Sequence, residues 1–164
     1  MEIAADTARI FLPLVLPVCL WVIYTDLSAM RISNGAVGLL VIGFFGLGLW
    51  VLTGDVLAAR AVQFAVVLLL CFGLFALNTM GAGDAKFIAA AAPYVHPGDL
   101  RLAIALFAAI LLAAVAAHRL ARHSALHRLA PHWQSWQSGK RFPMGFALGA
   151  GLAAYLVLGA LFGR

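Results

Sequence analysis

The sequence predicts an all-α membrane protein, a polytopic bundle of six transmembrane helices whose short fourth helix starts at Gly81-Ala82-Gly83-Asp84-Ala85-Lys86. Three observations carry this prediction. Of 164 residues, 65% are hydrophobic and only 10% are charged, and a mean hydropathy of +1.03 is too apolar for an ordinary soluble domain. The apolar residues fall in runs far longer than a barrel strand. Hydrocarbon offers no partner to an exposed backbone amide, so runs of that length must satisfy their own backbone as helices.

The first segment extends from about Ala8 to Tyr24. Its apolar run follows Glu2 and Asp6 with only Arg9 as a basic flank, and no small-residue cleavage site follows it, so it reads as a retained span and not a signal peptide. Gly35 to Leu52, Val56 to Leu77, Leu100 to Ala117 and Pro143 to Leu161 give four more spans. The stretch from Asp84 to Val95 differs. It is mostly alanine, holds Lys86 and meets Pro93 early. Twelve helical residues cover only about 18 Å of a hydrocarbon core about 30 Å thick. Such a segment is either a short span sheltered in the bundle or a re-entrant turn.

Charge arbitrates. With six spans, Arg31, Lys86, Arg119, Arg122, Arg128, Lys140 and Arg141 share one side, and Arg9, Arg60, Arg101 and Arg164 the other. The richer side is expected in the cytoplasm, with both chain ends outside and with Asp26 and Asp84 at the cytoplasmic edge. A re-entrant segment would weaken that bias. The chain therefore reads as one domain over residues 1–164, with 118–142 as a basic cytoplasmic loop. Gly43, Gly46 and Gly48, and again Gly145, Gly149 and Gly151, mark candidate surfaces for close helix approach. Cys19 and Cys71 lie separately in apolar segments and read as packed small hydrophobes, not as a disulfide or a zinc site.

Two polar stations interrupt the apolar pattern. In the first, Asp26 ends the opening span, Arg31 follows, and Asn34-Gly35 is a turn signal before the next span. In the second, Asn78-Thr79-Met80 leads into Gly81 and Gly83, whose missing side chains permit a bend and let another backbone approach Asp84. It is not a phosphate loop, since the glycine spacing and the Lys-Ser/Thr ending are absent. Asn78 either supports the bent entrance or simply ends a helix. Lys86, two residues past Asp84, is expected to point away from it and to snorkel to phosphate, help anchor the short helix or tune substrate approach. Paired carboxylates at one membrane edge suit aspartyl chemistry, and also charge pairing or ion handling.

The basic stretch carries His118, Arg119, Arg122, His123, His127, Arg128, His132, Trp133, Trp136, Lys140 and Arg141. His123 and His127 are helix-spaced, but no H-E-x-x-H glutamate or converging cysteines accompany them, so no metal is expected. A membrane-surface segment with its tryptophans among headgroups explains the stretch better than nucleic-acid binding, and the net charge of +5 then reflects topology.

Asp26 in D-L-S-A-M-R-I-S-N and Asp84 in G-A-G-D-A-K resemble the two catalytic-aspartate regions of bacterial type IV prepilin leader peptidases, which are intramembrane aspartyl peptidases of the G-x-G-D type. The likeness is closest to the short form associated with tight-adherence or Flp pili and extends over nearly the whole chain. Pro143-Met144-Gly145 resembles the family's closing region. The resemblance implies an inner-membrane endopeptidase that cuts a basic leader from a type IV prepilin or pseudopilin at the cytoplasmic face, after a glycine and before a hydrophobic helix. Asp26 and Asp84 would form the dyad, with Gly81, Gly83, Lys86, Arg31, Asn34 and Asn78 in supporting or substrate-approach roles.

Membrane lipids and pilus-assembly proteins are the further partners implied, and no cofactor or nucleic acid is expected. Ser33 departs from the proline that many relatives carry, which implies altered turn stiffness, not lost chemistry. Longer members add a domain with paired cysteines and N-methylate the new pilin end. Nothing here resembles that domain, so methyltransferase activity is not expected. Helix fields assign Asp84, at a positive helix start, as initial base and Asp26, at a negative helix end, as initial acid. Proton- or ion-coupled transport and a noncatalytic assembly scaffold remain the other function classes. Presenilin-like and signal-peptide-peptidase-like sites share G-x-G-D, but the small size, the short helix and D-L-S-A-M-R-I-S-N favour the prepilin group.

Overall fold

The computed structural model of the protein describes residues 1–139 and 141–164; Lys140, counted above in the basic loop, lies outside them. The described residues form six α-helices and no strand: α1 (Ala5–Ala29), α2 (Asn34–Val51), α3 (Gly54–Ala76), α4 (Ala82–Ala91), α5 (Leu100–His123) and α6 (Met144–Phe162). Five of them are long and apolar enough to cross a membrane, and the ten-residue α4 is not. The protein is a polytopic helical bundle with its short fourth helix at the Gly81 motif.

Local chemistry sets the boundaries. Met30 adopts a left-handed conformation (φ 50°) and returns its N–H to the Asp26 carbonyl, which stops α1. Three residues later the Ser33 hydroxyl accepts the Gly35 N–H at 3.2 Å and caps the start of α2. Asn78 takes the second left-handed position (φ 56°) just past α3, so it acts as a helix-ending residue. α5 continues to His123, so residues 118–123 of the expected loop are helical, and short 3-10 turns follow at Ala125–Leu129 and Gln134–Trp136.

The core is built around α1 and α6. A side chain at Gly149 would press on the Cys19 carbonyl and the Ile23 side chain, and one at Gly159 on Ile3 and Ala8, so glycine lets the two backbones meet. In the other glycine cluster Gly43 faces Leu14 and Gly48 faces Leu57, while Gly46 meets nothing. Phe11 stacks on Phe44 with centroids 5.3 Å apart, and Tyr94 sits edge-on to both. The Tyr94 hydroxyl donates to the Leu40 carbonyl at 2.8 Å.

The question of a crossing or a re-entrant turn is decided by what residues 82–99 touch. At one end Gly83 packs on Ile32, in the link between α1 and α2. At the other, Asp99 accepts the N–H groups of Glu2 and Ile3 at 2.8 and 3.0 Å, beside the closing residues of α6 that approach Ile3 at Gly159. The short helix and the turns after it carry the chain from one end of the bundle to the other. Both chain ends therefore meet at the end opposite Asp26, where Arg164 pairs with Glu2 at 3.4 Å.

Candidate active site

The two aspartates come from helices of opposite sense. Asp26 occupies the last turn of α1 and is 6% exposed. Asp84 is the third residue of α4, in its first turn. The left-handed stop at Met30 and the Ser33 cap fold the chain back so that Ile32 rests against Gly83, which brings the two turns together. Asp26 and Asp84 line one open cleft of about 680 Å³, with walls from Thr25, Ala29 to Asn34, Gly81 to Gly83, Lys86, Phe142 and Met144. Asp84 lies near enough to Asp26 to feel its charge.

The glycines of the second motif provide clearance. Gly81 has φ −69°, open to any residue, but a side chain on it would lie 2.9 Å from Asp84 Oδ2. The carboxylate folds back into the space that Gly81 leaves. Gly83 is helical, and its missing Cβ would stand 3.3 Å from the Ile32 Cβ. Asp84 thus has its own chain on both flanks, and its open side is the cleft.

Lys86 lines the same cleft as Asp84 and donates from Nζ to Asn34 Oδ1 at 3.2 Å. That bond joins the start of α2 to α4. Arg31 lies on the cleft wall and is exposed. Of the eight residues singled out from the sequence, seven line this cleft and Asn78 does not.

A third element enters that sequence spacing does not reveal. The Gly145 N–H, at the start of α6, donates to Asp26 Oδ2 at 2.6 Å, and the Phe146 amide interacts more weakly with the same carboxylate. The first amides of a helix have no partner within it, so a carboxylate is a natural recipient. A Cβ at Gly145 would fall 2.9–3.0 Å from Asp26 atoms, so only glycine allows this approach. The signal available in sequence was Pro143-Met144-Gly145 opening the last span. Gly145 reads there as a packing glycine, because nothing in the chain says which side chain its amide meets. The start of α6 also opposes the field of the α1 end, so both aspartates lie at the N-terminus of some helix. Helix fields no longer separate an acid from a base.

The segment after α5 forms a wall beside the cleft. Tyr24 meets Trp133 edge-on, Trp133 stacks on Trp136 at 5.7 Å, Trp136 stacks on His118 at 4.9 Å, and His118 meets Phe142 on the cleft rim. The Trp136 indole N–H donates to the Ala130 carbonyl at 2.8 Å. These rings pack on one another and, through Tyr24, on α1.

No curated protein and no solved structure matches the chain. A family model, described as the type IV leader peptidase family, matches residues 14–118, a stretch that holds both aspartates and the whole of α2, α3 and α4. With two carboxylates facing one cleft in a polytopic bundle and most of the chain within that match, this protein belongs to the type IV leader peptidase family and is by that membership a protease of prepilin-type substrates.

Proposed function

We propose that the protein is an aspartyl endopeptidase that removes the leader of Flp-type prepilins at the cytoplasmic face of the inner membrane, with Asp26 and Asp84 as its dyad. The observation that carries this reading is the convergence of Asp26 and Asp84, 58 positions apart in sequence, on one cleft at the end of the bundle. Two like charges facing a shared space resist ionising together, so the pair holds one proton between them. The ionised member takes a proton from a water molecule as its oxygen attacks the scissile carbonyl carbon. The protonated member hydrogen-bonds the carbonyl oxygen and then, as the C–N bond breaks, a proton passes to the leaving amine. The acid end of the pair is not assigned, because the Gly145 amide balances the helix-field argument.

The rest of the cleft supports the same chemistry. The cleft is open, which suits entry of a peptide segment and of the water that hydrolysis consumes. The Lys86–Asn34 bond and the Gly83–Ile32 contact hold the two turns at fixed separation, and peptide hydrolysis depends on such positioning. The bias of basic residues toward this end favours a cytoplasmic location for it.

The test is cleavage of a co-expressed Flp-type prepilin by the wild-type protein and by Asp26→Asn and Asp84→Asn at equal membrane abundance, with the new pilin N-terminus mapped. Each substitution is expected to lower cleavage by about a hundred- to ten-thousandfold. Cleavage that persists in both variants would overturn the dyad.

A further inference from the structure

The end of α4 away from Asp84 stops inside the bundle, and a helix end leaves carbonyls without partners, a costly state where lipid replaces water. Two α3 side chains meet it. Arg60 Nη1 donates to the Val95 carbonyl at 2.6 Å and to Gln63 Oε1 at 3.0 Å, and Gln63 Nε2 donates to the carbonyls of Ala92 at 2.8 Å and Val95 at 3.1 Å. Arg60 is 8% exposed and takes part in neither of the ion pairs found among the described residues. Its charge lies at the negative end of α4, where a cation is favoured. On the same segment, the His96 N–H donates to the Tyr155 hydroxyl at 3.0 Å, and that hydroxyl donates to Asp99 at 2.9 Å.

We infer that Arg60 and Gln63 are positioning residues that set the axial register of α4 and, through it, the depth of Asp84 in the cleft. The physical link is the helix itself. α4 has ten residues and so is about 15 Å long, short enough to move as one rod, with Asp84 in its first turn and the clamp on its C-cap Ala92 and on Val95, at the two ends of the 3-10 turn that follows it directly. The chain leaves helical geometry at Val95 and His96, between the 3-10 turns Ala92–Tyr94 and Pro97–Asp99, so the register of α4 is not inherited from α5. Loss of the clamp frees the rod to slide or tilt, and Asp84 moves with it.

A reporter independent of activity is built into the other end. The Cβ positions of residues 32 and 83 lie 3.3 Å apart, near the separation of disulfide-linked cysteines. In the full-length membrane protein with Cys19→Ala and Cys71→Ala, Ile32→Cys together with Gly83→Cys is expected to cross-link readily under mild oxidation. Adding Arg60→Met or the milder Gln63→Leu lowers the cross-linked fraction severalfold, and Arg60→Lys, which retains a donor and the charge, restores much of it. An unchanged fraction in both Arg60→Met and Gln63→Leu, or no cross-link in the reference protein, overturns the inference.

The consequence for catalysis rests on the proposed peptidase reading and is measured separately, with native residues 32 and 83. Arg60→Met is expected to lower kcat about tenfold or more while KM stays within about twofold. If the wild-type protein cleaves no prepilin, the peptidase reading fails while the cross-link still decides the clamp.

Discussion

Gly145 has an exacting position, because it must present a bare amide to Asp26 and leave no atom beyond its Cα. A hydrogen bond from an amide to a carboxylate contributes about 1.5–3 kcal/mol, and here it also fixes the direction of a side chain on which the proposed chemistry depends. Gly145→Ala places a methyl group 2.9–3.0 Å from the Asp26 carboxylate and Cβ. We expect prepilin cleavage to fall at least tenfold, on the order of the loss from misplacing a catalytic group, with membrane abundance little changed; full activity in that variant would remove the bond from the mechanism. Gly46 is the internal control. It meets nothing, so Gly46→Ala is expected to leave cleavage within about twofold, and its better helix propensity gives a small gain in stability.

At the scale of elements, the protein depends on two helix pairs. α1 and α6 meet through Gly149 and Gly159, where a larger side chain strikes the Cys19 carbonyl or Ile3 and Ala8. A backbone carbonyl cannot turn aside as a side-chain terminus can. Gly149→Leu is therefore expected to separate the helices and reduce the folded fraction, measured as lost membrane abundance or heightened protease sensitivity. Normal abundance and cleavage would show that α1 and α6 tolerate a wider spacing. The α1–α2 link depends on a smaller effect. Ser33 caps α2 through the Gly35 N–H, and Ser33→Ala is expected to cost about 1 kcal/mol of stability, seen as a lower unfolding midpoint in detergent. Its backbone φ of −67° also suits proline, so Ser33→Pro is expected to retain the turn while losing the hydroxyl cap.

For the whole molecule, topology follows from which ends meet. Glu2, Ile3, Asp99 and Arg164 gather at one end, and Asp26, Asp84 and Gly145 at the other. An even number of passes satisfies this arrangement, and the orientation we propose from the distribution of basic residues places the aspartates on the cytoplasmic side. Single cysteines at Thr79 and Arg128 are expected to resist a membrane-impermeant maleimide in intact cells and to react after permeabilisation. Cysteines at Arg101 and Arg164 are expected to react in both. Labelling of Arg128→Cys from outside an intact cell would invert the orientation and remove the cytoplasmic site.

Hydropathy alone determined the membrane class, the five long spans and the weakness of the fourth, because lipid leaves the backbone no alternative to helix. The two aspartates were legible because charges in so apolar a chain are costly and therefore few. The glycines before Asp84 stood out as well, although their task is to clear room for Asp84 and Ile32 and not to bend the chain. Tertiary structure alone decided that residues 82–99 cross the bundle, that the Gly145 amide holds Asp26, that Lys86 reaches Asn34, and that Arg60 and Gln63 close the end of α4. Each of these joins residues far apart in the chain. Periodicity and spacing report which face of a helix is apolar, whereas the partner of a lone amide or guanidinium is fixed only when the helices have packed.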